Sequence, residues 1–227
     1  LRGIQKLESL YQDLQLIIMD DGYQHRKVKA GISILLISYV QPVFDDLMLP
    51  AGNLREPMRN MNRADIIIIS KCPEDLSPSL AHDFEKQLKV YPHQKVFFSS
   101  LTYGAPQFLQ KKEDTFTDLS SYTSALVVTG IANPGPFLKY LSGKIKVEKQ
   151  LEYADHYSFT QKDLDRVLHT FHSMSGENKI IITTEKDAVR MREIMGSNHT
   201  ILRNIIYIPV EVNFLLNGKP LFMETLH

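Results

Sequence analysis

Short apolar runs recur along this sequence and alternate with stretches of helical periodicity. The clearest run, Ala64–Lys71, is β-branched almost throughout. Residues Ser77 to Val90 instead begin with a serine cap followed by proline and continue with helical spacing. Alternating strands and helices joined by short turns predict mostly parallel sheets with helices packed on their faces, so we expect an α/β fold.

The other predicted elements follow the same alternation. Strands are predicted over 14–19, 32–38, 95–103, 124–129, 144–151, 179–183 and 205–215, and helices over 1–13, 54–61, 134–141, 161–174 and 185–195. Residues 104–123 mix proline, charged residues and hydroxyls without a period, which indicates a domain boundary. We predict a first α/β unit over 1–104, a linker over 105–123, a smaller α/β lobe over 124–204, and a returning hinge strand and tail over 205–227.

Composition narrows the classes of partner. Lysine plus arginine and aspartate plus glutamate each count 26, so no global field steers the chain toward nucleic acid, and an anionic ligand must be held locally. The single cysteine, Cys72, excludes an internal disulfide and is compatible with a reducing compartment. No apolar run reaches the length of about 18 residues that a membrane span requires. The sequence starts at Leu1 without an initiator methionine, so we expect a processed or truncated chain. No basic and then apolar leader opens it, so we expect no signal for secretion in these residues.

The run Leu14–Met19 ends in Asp20, Asp21 and Gly22. A buried strand that delivers a carboxylate to the edge of its sheet has the form of a Walker-B element, whose acid holds Mg²⁺ against nucleotide phosphates. The alternative is a strand running into an Asp-Asp-Gly turn with no chemistry. Because successive side chains of a strand point to opposite faces, we expect one of the two aspartates to bind the metal and the other to orient the turn or the acceptor.

Several polar segments stand between the apolar runs in a fixed order. They are Asp-Asp-Gly-Tyr-Gln-His at 20–25, Leu-Pro-Ala-Gly-Asn-Leu-Arg-Glu at 49–56, Arg-Ala-Asp at 63–65, Thr-Gly-Ile-Ala-Asn-Pro at 129–134, Ala-Asp-His at 154–156 and Thr-Glu-Lys-Asp-Ala-Val at 184–189. This ordered set resembles the motifs of the tetraacyldisaccharide 4'-kinases, the lipid A 4'-kinases of Gram-negative bacteria. The match covers nearly the whole chain.

The resemblance implies a P-loop-kinase-like parallel sheet, incomplete at its N-terminus, joined by a β hinge to a smaller α/β lobe. It implies ATP as co-substrate, Mg²⁺ as cofactor, and phosphorylation of the 4'-hydroxyl of a tetraacyldisaccharide 1-phosphate in lipid A biosynthesis. It further implies a cytoplasmic protein held peripherally at the inner membrane through an N-terminal part that this sequence lacks.

Candidate roles follow from the motifs. Asp20 and Asp21 are the predicted metal ligands and catalytic acids, and Gln24 and His25 would position metal-bound water or the acceptor. His156 is the second-lobe catalytic candidate, because the family's histidine at this motif is understood to help an upstream aspartate deprotonate the sugar 4'-hydroxyl. This sequence lacks that aspartate, so His156 would be one half of an incomplete pair. For both histidines a purely structural role in a turn stays open.

Arg55 and Glu56 are the predicted binding pair of the second motif. An arginine can clamp a phosphate with two hydrogen bonds, so the nucleotide or the anomeric phosphate of the acceptor is its expected ligand. The alternative is an ion pair at the start of a helix.

Three family features are missing from the sequence: the Walker-A loop, the N-terminal membrane-associating helix and the upstream acidic residue thought to act as base. No G-x-x-x-x-G-K-[ST] motif occurs in the 227 residues. We therefore expect the C-terminal two-thirds of such a kinase, unable to turn over ATP alone. Two other functions stay open, a non-catalytic interaction or regulatory module derived from the kinase and a Mg²⁺-dependent phosphohydrolase that uses Asp20, Asp21 and His25.

Overall fold

A computed structural model describes residues 2–110, 118–155, 157–195 and 200–226. The chain divides into unit 1, within residues 1–101 and 212–227, and unit 2, residues 102–211. The elements in chain order are α1 (Arg2–Leu10), β1 (Ile34–Ser38), β2 (Ile66–Ser70), α2 (Pro78–Leu88), β3 (Lys95–Tyr103), β4 (Gln107–Phe108), β5 (Ser124–Thr129), α3 (Gly135–Ser142), β6 (Val147–Glu152), α4 (Gln161–His172), β7 (Lys179–Thr184), α5 (Glu185–Met195), β8 (Ile205–Ile208), β9 (Val210–Phe214) and α6 (Gly218–Leu226).

The main sheet of unit 1 has the strand order β1-β2-β3-β9. Strands β1 and β2 are parallel, as are β2 and β3. Alternate side chains of β2 enter two different cores, since Ile67 and Ile69 pack with Phe84 of α2 whereas Ile66 packs with Phe222 of α6. Because both faces of β2 are buried, every position favours an apolar side chain, which explains the unbroken β-branched run in its sequence.

One predicted strand is wrong. Residues 14–19 form no strand, and the side chains of Leu16 and Ile18 are 73% and 85% exposed. An apolar run forms a stable strand only when a neighbouring strand supplies hydrogen-bond partners. No described strand pairs with this segment, and β1 pairs only with β2 among the strands of the described residues.

Two further predictions need correction. The predicted helix over 54–61 is a 3₁₀ helix at Met58–Arg63. The predicted strand over 205–215 is two strands, because Pro209 separates β8, which pairs with β7, from β9, which lies beside β3. The expected return of the chain to the strand at 96–103 is confirmed by this pairing and by the hydrogen bond from Leu215 N to Phe98 O, 2.8 Å.

Unit 2 is a second α/β sheet with the order β4-β8-β7-β5-β6. Strands β5, β6, β7 and β8 are parallel to one another, and the edge strand β4 is antiparallel to β8. The chain passes from β5 to β6 on one side and continues with β7 and β8 on the other. In doubly wound sheets the carboxyl ends at such a reversal, here β5 and β7, border the ligand crevice.

Local signals fix the helices of unit 2. Thr160 and Asp163 form the predicted capping box at the start of α4, and Phe159 and Leu164 share one buried cluster. No helix in the described parts of the chain is both long and apolar enough to cross a bilayer.

Candidate active site

The Asp-Asp turn lies on the surface of unit 1. The amide of Asp21 donates to Asp20 Oδ1 at 3.0 Å, and Asp21 has a positive φ of 49°. Both residues are exposed. The carboxylates therefore stand in a turn that Asp20 itself caps, and one of them, Asp21, borders a cavity.

Arg55 contacts this turn through Asp21, which lies 34 positions earlier in the sequence. Its Nη1 lies 3.4 Å from Asp21 Oδ2 and 3.5 Å from Gln24 Oε1. The side chains of Arg55 and Asp21 are 63% and 79% exposed, so the pair contributes about 0–1 kcal/mol. A guanidinium held this weakly can exchange its partner for an incoming anion at little cost.

Glu56 is bound more firmly. Its Oε2 accepts from Arg63 Nη2 at 2.6 Å, Asn60 Nδ2 at 2.9 Å and Arg26 Nη2 at 3.3 Å. Burial acts to raise the pKa of Glu56, but the hydrogen bonds from Asn60 and Arg26 and the charge of Arg63 outweigh it and lower that pKa. Glu56 thus stays ionised and organises the arginines around the cavity.

Arg63 connects the Asp-Asp turn to the 3₁₀ helix, and sequence reasoning gave it no role in the site. Its Nη1 donates to Tyr23 O at 2.8 Å, and its guanidinium carbon lies 4.2 Å from the centre of the Tyr23 ring. The Tyr23 hydroxyl donates to Asn60 O at 2.8 Å. The available signal was the Arg-Ala-Asp motif at 63–65, but its contact with residue 23 is tertiary.

These side chains border a cavity of about 320 Å³. The polar residues of its lining are Asp21, Tyr23, Gln24, Asn53, Arg55, Glu56 and Asn60, and the apolar ones include Leu35, Ile37, Met58 and Met61. Among the lining residues Arg55 is the cation, and Asp21 and Glu56 are the carboxylates. Arg26 and Arg63 are paired with Glu56 and do not belong to the lining described here. The exposed Arg55 guanidinium can bind an anionic ligand such as a phosphate.

The residues present fit a magnesium ion. Mg²⁺ in phosphoryl-transfer sites is held by one or two carboxylates, with substrate phosphates and water completing its shell. Asp20 and Asp21 offer such oxygens at adjacent positions. The described residues contain no cluster of three or more histidine, cysteine or acidic side chains, so a more complete protein cage is not formed by this part of the chain.

The two histidine candidates differ in what the structure describes. The backbone amide of His25 donates to Gly22 O at 2.9 Å, which places His25 in the turn, and its ring is exposed without a hydrogen bond to any described residue. His156 lies outside the described residues. Its sequence neighbour Asp155 is paired with Lys186 Nζ at 3.1 Å in unit 2.

The crevice of unit 2 already contains a carboxylate. Asp187 is fully buried, and its Oδ2 accepts from Gly130 N at 2.8 Å and from Thr184 Oγ1 at 2.7 Å. Its Oδ1 lies 3.1 Å from Arg190 Nη1. A side chain at Gly130 would place its Cβ 3.0 Å from Asp187 Oδ1, so a larger residue would press on this buried carboxylate. The Gly130 amide is therefore committed to an internal partner.

Comparison with known proteins decides the family. The sequence profile of tetraacyldisaccharide-1-P 4'-kinase matches residues 1–227, the whole chain. The chain belongs to the tetraacyldisaccharide-1-P 4'-kinase family. The motif resemblance and the expected kinase family are thereby confirmed.

Relatives within the family are similar over almost the whole chain. The tetraacyldisaccharide 4'-kinase of Bacteroides thetaiotaomicron is 36% identical over 98% of this chain, and that of Phocaeicola vulgatus 37% over 97%. The Flavobacterium johnsoniae protein of the same name is 36% identical over 94%. The chain spans 61%, 61% and 59% of these three relatives.

The fold also has a solved counterpart. The crystal structure of "apo" form LpxK from Aquifex aeolicus in complex with ATP aligns with a TM-score of 0.59 at 23% identity. The alignment covers 88% of this chain and 53% of that one. At this identity the likeness supports the fold, and it confirms the α/β, P-loop-kinase-like class expected from the sequence.

Proposed function

We propose that this chain carries the acceptor- and metal-handling part of an ATP-dependent kinase that phosphorylates the 4'-hydroxyl of a tetraacyldisaccharide 1-phosphate. Family membership supplies the reaction class. The observation that carries the assignment to a site is the exposed Arg55–Asp21 pair, both members of which line the cavity. A weak pair there gives a phosphate group an arginine to bind and frees a carboxylate at the same time.

Each residue of the site has a distinct task in this proposal. Arg55 binds a phosphate of the nucleotide or of the acceptor, and Gln24 orients that guanidinium through its side-chain oxygen, 3.5 Å away. Glu56 holds Arg26 and Arg63 in place, which keeps the Asp-Asp turn seated against the 3₁₀ helix. His25 is placed to contact the acceptor or ordered water, and His156 is proposed as the second-lobe group that assists proton removal from the sugar hydroxyl.

Asp20 and Asp21 would hold Mg²⁺. The ion, when bound, neutralises charge on the β- and γ-phosphate oxygens during transfer. Release of Asp21 from Arg55 is the step that this chain contributes, since the carboxylate can then turn to a cation while the guanidinium turns to a phosphate.

The test restores what the sequence lacks. The N-terminal portion of the Bacteroides thetaiotaomicron kinase is fused ahead of Leu1, and transfer of label from ATP to a tetraacyldisaccharide 1-phosphate is measured with and without Mg²⁺. Arg55→Ala should lower kcat/KM about 10- to 100-fold, as expected for a lost charge-assisted contact. Asp21→Ala and His156→Ala should lower kcat.

Arg59→Ala is the matched control. Arg59 is exposed, lies four positions after Arg55 and has no ion pair among the described residues, so its removal should leave transfer unchanged. An active fusion in which Arg55→Ala matches Arg59→Ala would remove the site assignment. A folded fusion without transfer would favour the non-catalytic module, and release of phosphate from simple esters by the 227-residue chain alone would favour the phosphohydrolase.

A further inference from the structure

The Arg-Ala-Asp motif at 63–65 begins with the last residue of the 3₁₀ helix and ends just before β2. Asp65 Oδ2 accepts a hydrogen bond from Ser33 N at 2.8 Å, directly ahead of β1. Arg63 donates instead to the backbone of the Asp-Asp turn. The motif therefore connects that turn to the start of the main sheet of unit 1.

Arg63 holds the turn by one carbonyl group and one ring. Its Nη1 donates to Tyr23 O at 2.8 Å, and its guanidinium carbon lies 4.2 Å from the centre of the Tyr23 ring. Its Nη2 donates to Glu56 Oε2 at 2.6 Å, and the same oxygen accepts from Asn60 Nδ2 at 2.9 Å. These contacts use two nitrogens and the flat face of one guanidinium, which a lysine ammonium cannot reproduce.

The bonds that seat the turn do not use the Asp21 carboxylate. Arg63 binds the main-chain carbonyl two positions later, and the Tyr23 hydroxyl donates to Asn60 O at 2.8 Å. Asp21 Oδ2 lies 3.4 Å from Arg55 Nη1, and both of these side chains are mostly exposed. An exposed pair of this kind stabilises little, so the carboxylate can change its partner while the turn stays in place.

We propose that Arg63 is the positioning residue of the metal site, because it fixes the backbone of the Asp-Asp turn while Asp21 exchanges Arg55 for a divalent cation. The inference rests on the proposed function in one respect, the assignment of the cation to Asp20 and Asp21. Groups that orient metal ligands typically change metal affinity about 10- to 100-fold when they are mutated. Arg55 competes with the cation for Asp21, so Arg63 and Arg55 should act on metal affinity in opposite directions.

Binding of Mn²⁺ to the 227-residue chain tests this without nucleotide or acceptor. Mn²⁺ takes the same oxygen ligands as Mg²⁺, and the electron paramagnetic resonance signal of the free ion measures the unbound fraction. Arg63→Lys should raise the Kd for Mn²⁺ about tenfold or more. Arg55→Ala should lower that Kd about two- to fivefold, since it removes a weak competing partner of Asp21.

Arg59→Lys is the matched control for Arg63→Lys. Arg59 lies on the same 3₁₀ helix, is exposed and has no ion pair among the described residues, so its exchange for lysine should leave the Kd unchanged. The number of bound ions at saturation separates positioning from folding. A partly unfolded variant binds fewer ions at saturation, whereas a displaced turn binds the same number with a higher Kd.

Hydrogen exchange reports on the turn itself in the absence of metal. The His25 amide donates to Gly22 O at 2.9 Å, so its exchange measures how often the turn opens. Arg63→Lys should speed exchange in peptides that cover 20–26, whereas Arg55→Ala should leave it unchanged. Strand β2 is the internal reference, because a general loss of stability in unit 1 would speed exchange there as well.

Two results would overturn the role of Arg63: parent values of both Kd and turn exchange in Arg63→Lys, or equally fast turn exchange in Arg55→Ala and Arg63→Lys. If Arg63→Lys failed to fold, Tyr23→Leu, which removes the ring next to the guanidinium, would have to weaken Mn²⁺ binding instead.

The variant Asp21→Ala separates this inference from the proposed function. Equal Mn²⁺ binding by Asp21→Ala and the parent, or no binding by the parent, would remove the metal assignment and this inference with it. Loss of binding in Asp21→Ala together with a parent-like Kd in Arg63→Lys would remove only the role of Arg63. Far-ultraviolet circular dichroism establishes folding for each variant.

Discussion

Removal of the Asp187 carboxylate should destabilise unit 2 more than any other single change to a charged side chain described above. In Asp187→Ala the Gly130 amide and the Thr184 hydroxyl lose their shared acceptor, and the Arg190 guanidinium loses a carboxylate at 3.1 Å. Breaking a buried pair from one side costs about 3–5 kcal/mol. Because the Arg190 side chain is 20% exposed and water can reach it, we expect the lower end, about 3 kcal/mol.

Hydrogen exchange read by mass spectrometry is the suitable assay, because peptides of unit 2 report separately from those of unit 1. A loss of about 3 kcal/mol corresponds to roughly hundredfold faster exchange of the amides of β7. The control is Asp165→Ala on α4. Asp165 is exposed, and its Oδ1 accepts a hydrogen bond from Gln161 Nε2 at 3.3 Å. It should change exchange by less than about 0.5 kcal/mol. If Asp187→Ala changed β7 exchange no more than this control, the account of the crevice would be refuted.

Three further changes test single features by the same exchange measurement. Glu56→Gln should speed amide exchange in unit 1 at neutral pH. Because the pKa of Glu56 is lowered in the folded protein, the stability difference between the parent and this variant should shrink as pH falls through that folded pKa, and a difference that persists in acid would contradict this reasoning. The control Glu74→Gln, at an exposed loop position, should leave exchange unchanged. Thr160→Ala should cost about 1 kcal/mol in α4, and no change there would deny the capping box its role. Gly52→Ala should speed exchange of the Leu54 amide, which donates to Leu47 O at 3.0 Å, because a Cβ at position 52 would fall on the Leu47 backbone. Gly31→Ala, which has open space around it, should leave that exchange unchanged.

Much of the fold was predictable because local signals and tertiary burial agree. Strand β2 is buried on both faces, and its sequence is an unbroken apolar run. The start of α4 is indicated in the sequence by the capping residues Thr160 and Asp163. The wrong predictions fall where the structure of a segment depends on pairing with a strand elsewhere in the chain. Residues 14–19 have the composition of a strand but no described neighbour, and Pro209, which has no amide hydrogen, divides an apolar run whose two halves pair in different sheets.

The sequence motifs pointed to some of the residues that lie together in the candidate site, but not to the hydrogen bonds that connect them. The motifs brought attention to Asp21, Gln24 and Arg55, which the structure brings together within 3.5 Å. The tasks of Tyr23 and Arg63 depend on contacts across the sequence that no spacing rule reveals. Glu56, expected to bind a ligand or to form a helix-start pair, accepts hydrogen bonds from Arg63, seven positions later, and from Arg26, 30 positions earlier.

The bond from Arg63 to the carbonyl of Tyr23 spans 40 positions of the chain. During synthesis the Asp-Asp turn leaves the ribosome well before the arginine that fastens it. Until then the two acids are tethered only by their own turn, and a nascent chain cannot hold them in their final orientation. Translation that pauses between these two positions would therefore lengthen the time for which this region is open to proteases.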